Sequence, residues 1–159
     1  MKARVLHTRI WTDGFMRKLT PGEKLLYVYL LTNSKVNIIH CYEITIDEII
    51  FDLGLSVRTI KDAVEKLSKE GKILRYKDWV FLGNADKYQR FTGEKNDIAK
   101  QRLFQEMSRD VLDWYDKIMD RGIKGVYIPS VISNKYIYRG VVKGGKEKNK
   151  GGVIYAEDL

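Results

Sequence analysis

The fold is decided by residues 45–71, which read TIDEIIFDLGLSVRTIKDAVEKLSKEG. Thr45 and Glu48 match a capping box, in which two side chains satisfy free backbone N–H groups at the start of a helix. Gly54 is placed to end that helix in the left-handed conformation. The pattern therefore predicts a first helix, whose buried side comprises Ile46, Ile49, Ile50 and Leu53.

A second helix is predicted immediately after this turn. Ser56 is a typical N-cap residue, and residues 57–70 carry apolar side chains at helical spacing before Gly71 ends the pattern. The apolar face comprises Val57, Ile60, Ala63, Val64 and Leu67. Two helices joined by a tight turn that contains glycine predict a helix-turn-helix.

The preceding residues predict two more helices and a strand. Residues 10–19 have aromatic and aliphatic side chains at the spacing of a short helix. Residues 20–23, TPGE, form another capping box with proline at the first helical position, and the apolar helix that follows ends near Asn33. Residues 41–44 favour a short strand.

A hairpin is predicted directly after the helix-turn-helix. Residues 73–76 and 79–82 are rich in apolar, aromatic and β-branched side chains, and only Lys77 and Asp78 separate them. The order of helix, helix, strand, helix, helix and hairpin predicts a winged helix-turn-helix domain within residues 1–90.

The pattern changes after this domain. Residues 91–135 predict a helical extension, mostly polar over 94–106 and with a clear apolar side over 108–121, for packing or dimerisation. Residues 136–159 predict a Gly/Lys-rich tail, either flexible or folded as a loose hairpin. The expected fold class is mainly α with a small β hairpin, an α+β fold.

Several motifs resemble a known family. Residues 10–13 read IWTD, residues 19–27 LTPGEKLLY, residues 29–33 YLLTN and residues 79–81 WVF. This set is similar to the N-terminal winged-helix domain of phage replisome organisers and of DnaD-type primosome proteins of Gram-positive bacteria, over about residues 8–90. The resemblance implies a protein that binds a replication origin, self-associates and works with a helicase or a helicase loader.

The composition favours a polyanionic partner. The chain has 159 residues and a formal net charge of +8, with 44% apolar and 31% charged residues. Residues 1–90 hold 16 Lys and Arg against 11 Asp and Glu, which is most of the excess. Such a surplus suits double-stranded DNA, although it can also serve solubility alone.

The composition also argues against several function classes. A single cysteine, Cys41, excludes an internal disulfide and a zinc site built from cysteines, and two histidines cannot form a three-histidine site. The sequence contains no phosphate-binding GxxxxGK[ST] loop. We therefore expect no enzymatic activity and no cofactor. Because no apolar run is long enough to span a bilayer and the N-terminus lacks an apolar signal region, we expect a cytoplasmic protein that does not contact membranes.

The second helix of the pair supplies the first candidate DNA contacts. In a helix-turn-helix, the N-terminal residues of this helix approach base edges in the major groove. If Ile60, Val64 and Leu67 point inward, the polar side chains near the helix start point outward. The candidate groove residues are Ser56, Arg58, Thr59, Lys61 and Asp62. Arg58 can bind a guanine edge through two hydrogen bonds.

The hairpin supplies three further candidates, Lys72, Arg75 and Lys77. A basic wing usually reaches the phosphate backbone or the minor groove, and Lys77 in the turn is best placed for this contact.

Opposite charges four residues apart offer an alternative for the helix. Arg58 with Asp62 and Glu65 with Lys69 can pair within it, as can Lys61 with Glu65 and Asp62 with Lys66, so this face can also be a solvated surface. For Lys66 and Lys69 the solvated reading is favoured.

Self-association is also expected. Lys2, Arg4, Arg9, Arg17 and Lys18 can form a basic arm or one edge of a dimer interface. Trp114 and Tyr115 can pack on the winged-helix body or build a two-fold interface. Since DNA-binding helix-turn-helix proteins are commonly dimers, we expect a homodimer.

The leading hypothesis is a DNA-binding protein of a phage or mobile element that acts in replication initiation. A transcriptional repressor on the same fold is the first alternative, because fold does not determine function. A winged-helix module that docks proteins and does not bind DNA is the second.

Overall fold

The computed structural model describes residues 4–85, 91 and 93–121. It is mainly helical with one small antiparallel sheet, so the expected α+β class is confirmed. The helices are a 3₁₀ helix (Thr8–Thr12), α1 (Gly14–Arg17), α2 (Pro21–Thr32), α3 (Ile46–Leu53), α4 (Val57–Lys69), α5 (Glu94–Gln105) and α6 (Arg109–Arg121). The strands are β1 (Cys41–Glu43), β2 (Ile73–Tyr76) and β3 (Trp79–Leu82).

Local capping signals fix the starts of α2 and α3. The hydroxyl of Thr20 accepts a hydrogen bond from the N–H of Glu23 at 3.4 Å, and the Glu23 carboxylate accepts one from the N–H of Thr20 at 2.7 Å. Thr45 and Glu48 repeat this arrangement at 3.2 and 2.9 Å. Both capping boxes predicted from the sequence are confirmed.

The single helix predicted over residues 10–19 is wrong, because the segment is broken at Asp13. This residue is extended, with φ −64° and ψ 128°, and it separates the 3₁₀ helix from α1. Its Oδ1 accepts a hydrogen bond from the N–H of Phe15 at 2.8 Å and thereby caps α1. The break leaves Trp11 58% exposed, whereas Met16 is buried.

The three strands form a sheet in the order β1-β3-β2, with both pairings antiparallel. Cys41 of β1 and Leu74 of β2 both lie opposite Phe81 of the central strand. The predicted hairpin is confirmed, and Lys77 in its two-residue turn has φ 52°. The predicted strand at 41–44 is the third member of the sheet.

The sheet separates two cores, because successive side chains of a strand point to opposite faces. On one face, the inner core packs against α2, α3 and α4 and includes Leu26, Leu30, Ile49, Ile60, Leu67, Val80 and Leu82. On the other face, the outer core packs against α5 and α6 and includes Ile39, Cys41, Phe81, Phe104, Met107, Val111, Tyr115 and Ile118. The helical extension expected from the sequence therefore covers the outer face of the sheet.

Trp114 and Tyr115 of α6 pack within the chain itself. Tyr115 is 1% exposed, and its ring meets that of Phe81 edge-on with centroids 5.8 Å apart. The ring of Trp114 stacks on Tyr76 at 5.5 Å. Of the two roles expected for this aromatic pair, packing on the body is the one observed.

The remaining expectations lie outside the described residues. They concern Lys2, the connection after residue 121, and the tail over residues 136–159.

Candidate nucleic-acid interface

The helix α4 is held by its buried face and by the turn before it. Ile60, Ala63 and Leu67 are completely buried. Gly54 ends α3 with φ 64°, and its N–H donates a hydrogen bond to the carbonyl of Ile50 at 2.8 Å. Since these contacts fix one side of α4, the opposite side faces solvent.

Ser56 and Thr59 secure the start of α4. The Ser56 hydroxyl accepts a hydrogen bond from the N–H of Thr59 at 3.1 Å, and the two hydroxyls lie 2.9 Å apart. A methyl group added to Gly22 of α2 would lie 3.1 Å from the Thr59 methyl, so α2 and α4 are in close contact here. Both candidates therefore have a structural role at the N-cap, and Ser56 remains exposed.

Arg58, Lys61 and Asp62 form the exposed surface of the first two turns, which we call the α4 face. The side chain of Arg58 is 93% exposed, and its Nε lies 3.9 Å from a carboxylate oxygen of Asp62, which is itself 67% exposed. Lys61 is exposed, and no carboxylate of the described residues pairs with it. An ion pair this long and this exposed leaves the guanidinium accessible.

The C-terminal half of α4 is tied to its neighbours. The Nζ of Lys66 lies 2.8 Å from the Glu23 carboxylate and donates a hydrogen bond to the carbonyl of Lys18 at 3.2 Å. Burial opposes ionisation of Glu23, but the bonds with Lys66 and Thr20 together outweigh it and lower the pKa of that carboxyl. Lys66 is therefore a link between α4 and α2 and not the solvated residue expected. Lys69 pairs with Glu65 at 2.5 Å and remains 72% exposed, as expected.

Lys72 lies at the start of β2, at the end of the strand remote from the turn. Its Nζ lies 4.7 Å above the ring of Phe15, in the geometry of a cation–π contact. It also lines a cleft of about 680 Å³ together with Tyr27 and Leu82. The structure therefore does not bring Lys72 together with the turn of the hairpin.

Arg75 is used inside the hairpin. Its side chain is only 15% exposed, and its guanidinium donates to the carbonyl of Lys77 at 2.9 Å and to the Asp78 carboxylate at 3.3 Å. A longer bond of 3.5 Å reaches the carbonyl of Ile44. These contacts hold the turn in shape and leave little of the guanidinium for a ligand.

Lys77 lies at the tip of the hairpin and is paired with α6. Its Nζ lies 2.6 Å from Oδ2 of Asp110, which also accepts a hydrogen bond from the Tyr76 hydroxyl at 3.4 Å. The other oxygen of Asp110 accepts from Ser108 at 2.6 Å. The bond to Asp110 raises the pKa of Lys77, and the same bond holds the pKa of Asp110 below its ordinary 3.8.

The sequence did not predict that Asp110 and Trp114 of α6 contact the hairpin. They lie one helical turn apart on α6, so the carboxylate of one meets Lys77 while the ring of the other stacks on Tyr76. The contact joins residues 33 positions apart in the chain. No local sequence pattern indicates such a pairing. The amphipathic character of α6 indicated only that its apolar side is buried against another part of the protein.

Arg4 does not belong to a free basic arm. Its guanidinium donates to the carbonyl of Val36 and lies 5.9 Å from the ring centroid of Phe91. Arg17, the last residue of α1, and Lys18, which follows it, are exposed to solvent.

Cys41 is part of the outer core. Its side chain is completely buried, and burial raises the pKa of the thiol, which keeps it in the unreactive protonated form. Within the described residues, no three His, Cys, Asp or Glu side chains are grouped so that they could hold a metal ion.

Comparisons with family models, with curated proteins and with solved structures find no match for this chain. In the part of the chain that the structure describes, no helix has the length and apolar character to cross a membrane.

Proposed function

We propose that this chain is a winged-helix DNA-binding protein that places α4 in the major groove. The observation that carries the proposal is the α4 face, where Arg58 is 93% exposed and Lys61 has no carboxylate partner among the described residues. This face occupies the first two turns of the second helix of a pair. In helix-turn-helix proteins, this is the position that meets base edges.

The arrangement of the elements supports a winged helix. The helices α3 and α4 are separated by a short turn with Gly54 in the left-handed conformation, and a hairpin follows α4 after three residues. The hairpin belongs to a three-stranded sheet whose inner face covers the helices. The net charge of +8 supports a polyanionic ligand.

Arg58 is the residue we assign to base contact. Its separation of 3.9 Å from Asp62 is long for a charged hydrogen bond, so little is lost when the guanidinium turns to a guanine edge. A bidentate contact of this kind contributes about 1–3 kcal/mol of discrimination. Asp62, facing the same groove, disfavours phosphates and can accept from a cytosine amino group.

The experiment measures fluorescence anisotropy of the full chain with labelled duplex and single-stranded DNA, at low and at moderate salt. We expect salt-dependent duplex binding, and about tenfold weaker binding by the Arg58→Gln/Lys61→Gln variant. The matched control is Lys95→Gln/Arg102→Gln, which makes the same change of charge on exposed positions of α5, across the sheet from α4. Equal losses in both variants would mean that only net charge matters. No binding to duplex at low salt would refute the proposal.

The cellular role that we propose is replication initiation, with a helicase or helicase loader as partner and with self-association. This role is supported only by the resemblance of residues 8–90 to replisome organisers. A repressor on the same fold is distinguished by where the protein binds: a site at its own promoter indicates repression. A site at an origin, together with pull-down of a helicase or its loader, indicates initiation.

One observation favours a protein-docking role as the second candidate. Phe51 of α3 is 89% exposed and Val57 at the start of α4 is 45% exposed. Large exposed apolar side chains are frequent in interfaces. If size-exclusion chromatography with light scattering gives a dimer for the wild type and a monomer for Phe51→Ser, this position belongs to the self-association surface.

A further inference from the structure

The tip of the hairpin carries a cation that is occupied by a carboxylate of the same chain. Lys77 and Asp110 are 2.6 Å apart, yet their side chains are 64% and 42% exposed. The pair therefore lies at the surface, where an anion from solvent can reach the ammonium group without disturbing either core.

The backbone beneath Lys77 does not depend on that pair. The Nε of Arg75 donates to the carbonyl of Lys77 at 2.9 Å, and the N–H of Ile44 donates to the carbonyl of Asp78 at 2.7 Å. One of these bonds lies within the hairpin, and the other comes from Ile44, the residue that follows β1. Lys77 can therefore exchange its partner by rotating its side chain alone.

Asp110 is held in place when Lys77 leaves. Ser108 donates to one of its oxygens at 2.6 Å, and Tyr76 donates to the other at 3.4 Å. The stack of Tyr76 on Trp114 keeps that tyrosine in position. The Asp110 carboxylate is therefore held next to Lys77 at the tip of the hairpin.

We propose that the hairpin tip is a second phosphate-binding point for DNA and that Asp110 competes with the phosphate for Lys77. This inference rests on the proposed DNA binding through α4, since the duplex held by α4 supplies the phosphate. Exposed ion pairs are weak, so a phosphate can displace the carboxylate. Because the phosphate must displace Asp110, the chain binds duplex more weakly than it would with an unpaired Lys77. The pair also makes the affinity less dependent on salt, by about the contribution of one neutralised phosphate.

The test compares Asp110→Asn with Asp113→Asn in the full chain, each with and without Lys77→Gln. Asp113 lies three residues further along α6, is exposed, and has no cation partner among the described residues, so its variant makes the same change of charge on the same helix. Anisotropy with one labelled duplex over a range of salt concentrations gives the affinity and the salt slope. Thermal unfolding by circular dichroism verifies that each variant is folded.

We expect Asp110→Asn to bind duplex about two- to fivefold more tightly than the wild type, with a salt slope steeper by about one unit. Lys77→Gln should reduce that gain to the smaller one that Asp113→Asn gives in either background, because the loss of one negative charge favours duplex binding even without Lys77. The inference is overturned if the two asparagine variants bind equally, or if Lys77→Gln leaves the gain of Asp110→Asn undiminished.

The Arg58→Gln/Lys61→Gln variant separates this inference from the proposed function. If that variant loses binding while Asp110→Asn matches Asp113→Asn, only the role of Asp110 fails. If neither the wild type nor Asp110→Asn binds duplex at low salt, both proposals fail.

Discussion

The α4 face and the hairpin tip are the two regions whose cations the sequence assigns to DNA, and they differ in what surrounds them. Arg58 meets only an exposed carboxylate 3.9 Å away, whereas Lys77 is bonded at 2.6 Å to Asp110 of α6, 33 residues further along the chain. Arg75, two residues before the tip, is turned inward. The difference shows that Arg58 is directly accessible to a ligand, whereas an anion reaches the ammonium group of Lys77 only by displacing Asp110.

The largest expected effect tests the anchorage of the hairpin. Tyr115→Ala removes a side chain that is 1% exposed and contacts Phe81 and Phe104 in the outer core. We expect the free energy of unfolding to fall by about 3–5 kcal/mol, measured by urea denaturation. Phe51→Ala is the control at a protein concentration where the wild type is monomeric, because its ring is 89% exposed and its loss should then change stability by at most about 0.5 kcal/mol. Similar values for both variants would show that α6 does not anchor the hairpin.

An intermediate effect tests how α4 is oriented. Gly54 has φ 64°, a conformation that disfavours any residue with a Cβ atom. Gly54→Ala should therefore lower the free energy of unfolding by about 1–2 kcal/mol in thermal or urea denaturation. Gly14→Ala is the matched control, because Gly14 lies in α1 with open space around its Cβ position. A tolerated Gly54→Ala would mean that the turn before α4 is not fixed as described.

The smallest effect concerns pH at the hairpin tip. The bond from Lys77 lowers the pKa of Asp110 in the folded chain, so the pair contributes stability above the ordinary value of 3.8. That contribution is lost as the pH falls below this value towards the lowered pKa. We expect the difference in melting temperature between the wild type and Asp110→Asn to shrink as the pH falls from 7 to 2. If the difference in melting temperature stays constant over this range, ionisation of Asp110 does not contribute to the stability of the folded chain.

The elements that sequence reasoning located are those with signals only a few residues apart. The capping boxes at Thr20 and Thr45, the glycine at 54 and the N-cap at Ser56 each act within one helical turn. The side chains of Thr20, Thr45 and Ser56 bond to backbone groups three residues away, and tertiary context changes this little. The same local reasoning missed the break at Asp13, because that residue can either continue a helix or cap the next one.

The candidate site was only partly accessible to this reasoning. The burial of Ile60 and Leu67 follows from their spacing, and so does the exposure of Arg58 on the opposite side of α4. The partner of Lys77 depends on how α6 crosses the sheet, which no pattern near residue 77 records. The prediction that Lys66 is solvated failed for the same reason, since its carboxylate partner Glu23 belongs to α2.

The two-sided sheet has a practical consequence for anyone who shortens the chain. A fragment that stops at residue 90 would retain the proposed DNA contacts but lose α5 and α6, which cover Cys41 and Phe81. Those side chains would then form an apolar patch exposed to solvent. The strands β1 and β2 would be the two edges of a sheet with one face uncovered. Such a fragment would aggregate and adsorb non-specifically to surfaces, and both effects would contribute to its apparent affinity for DNA.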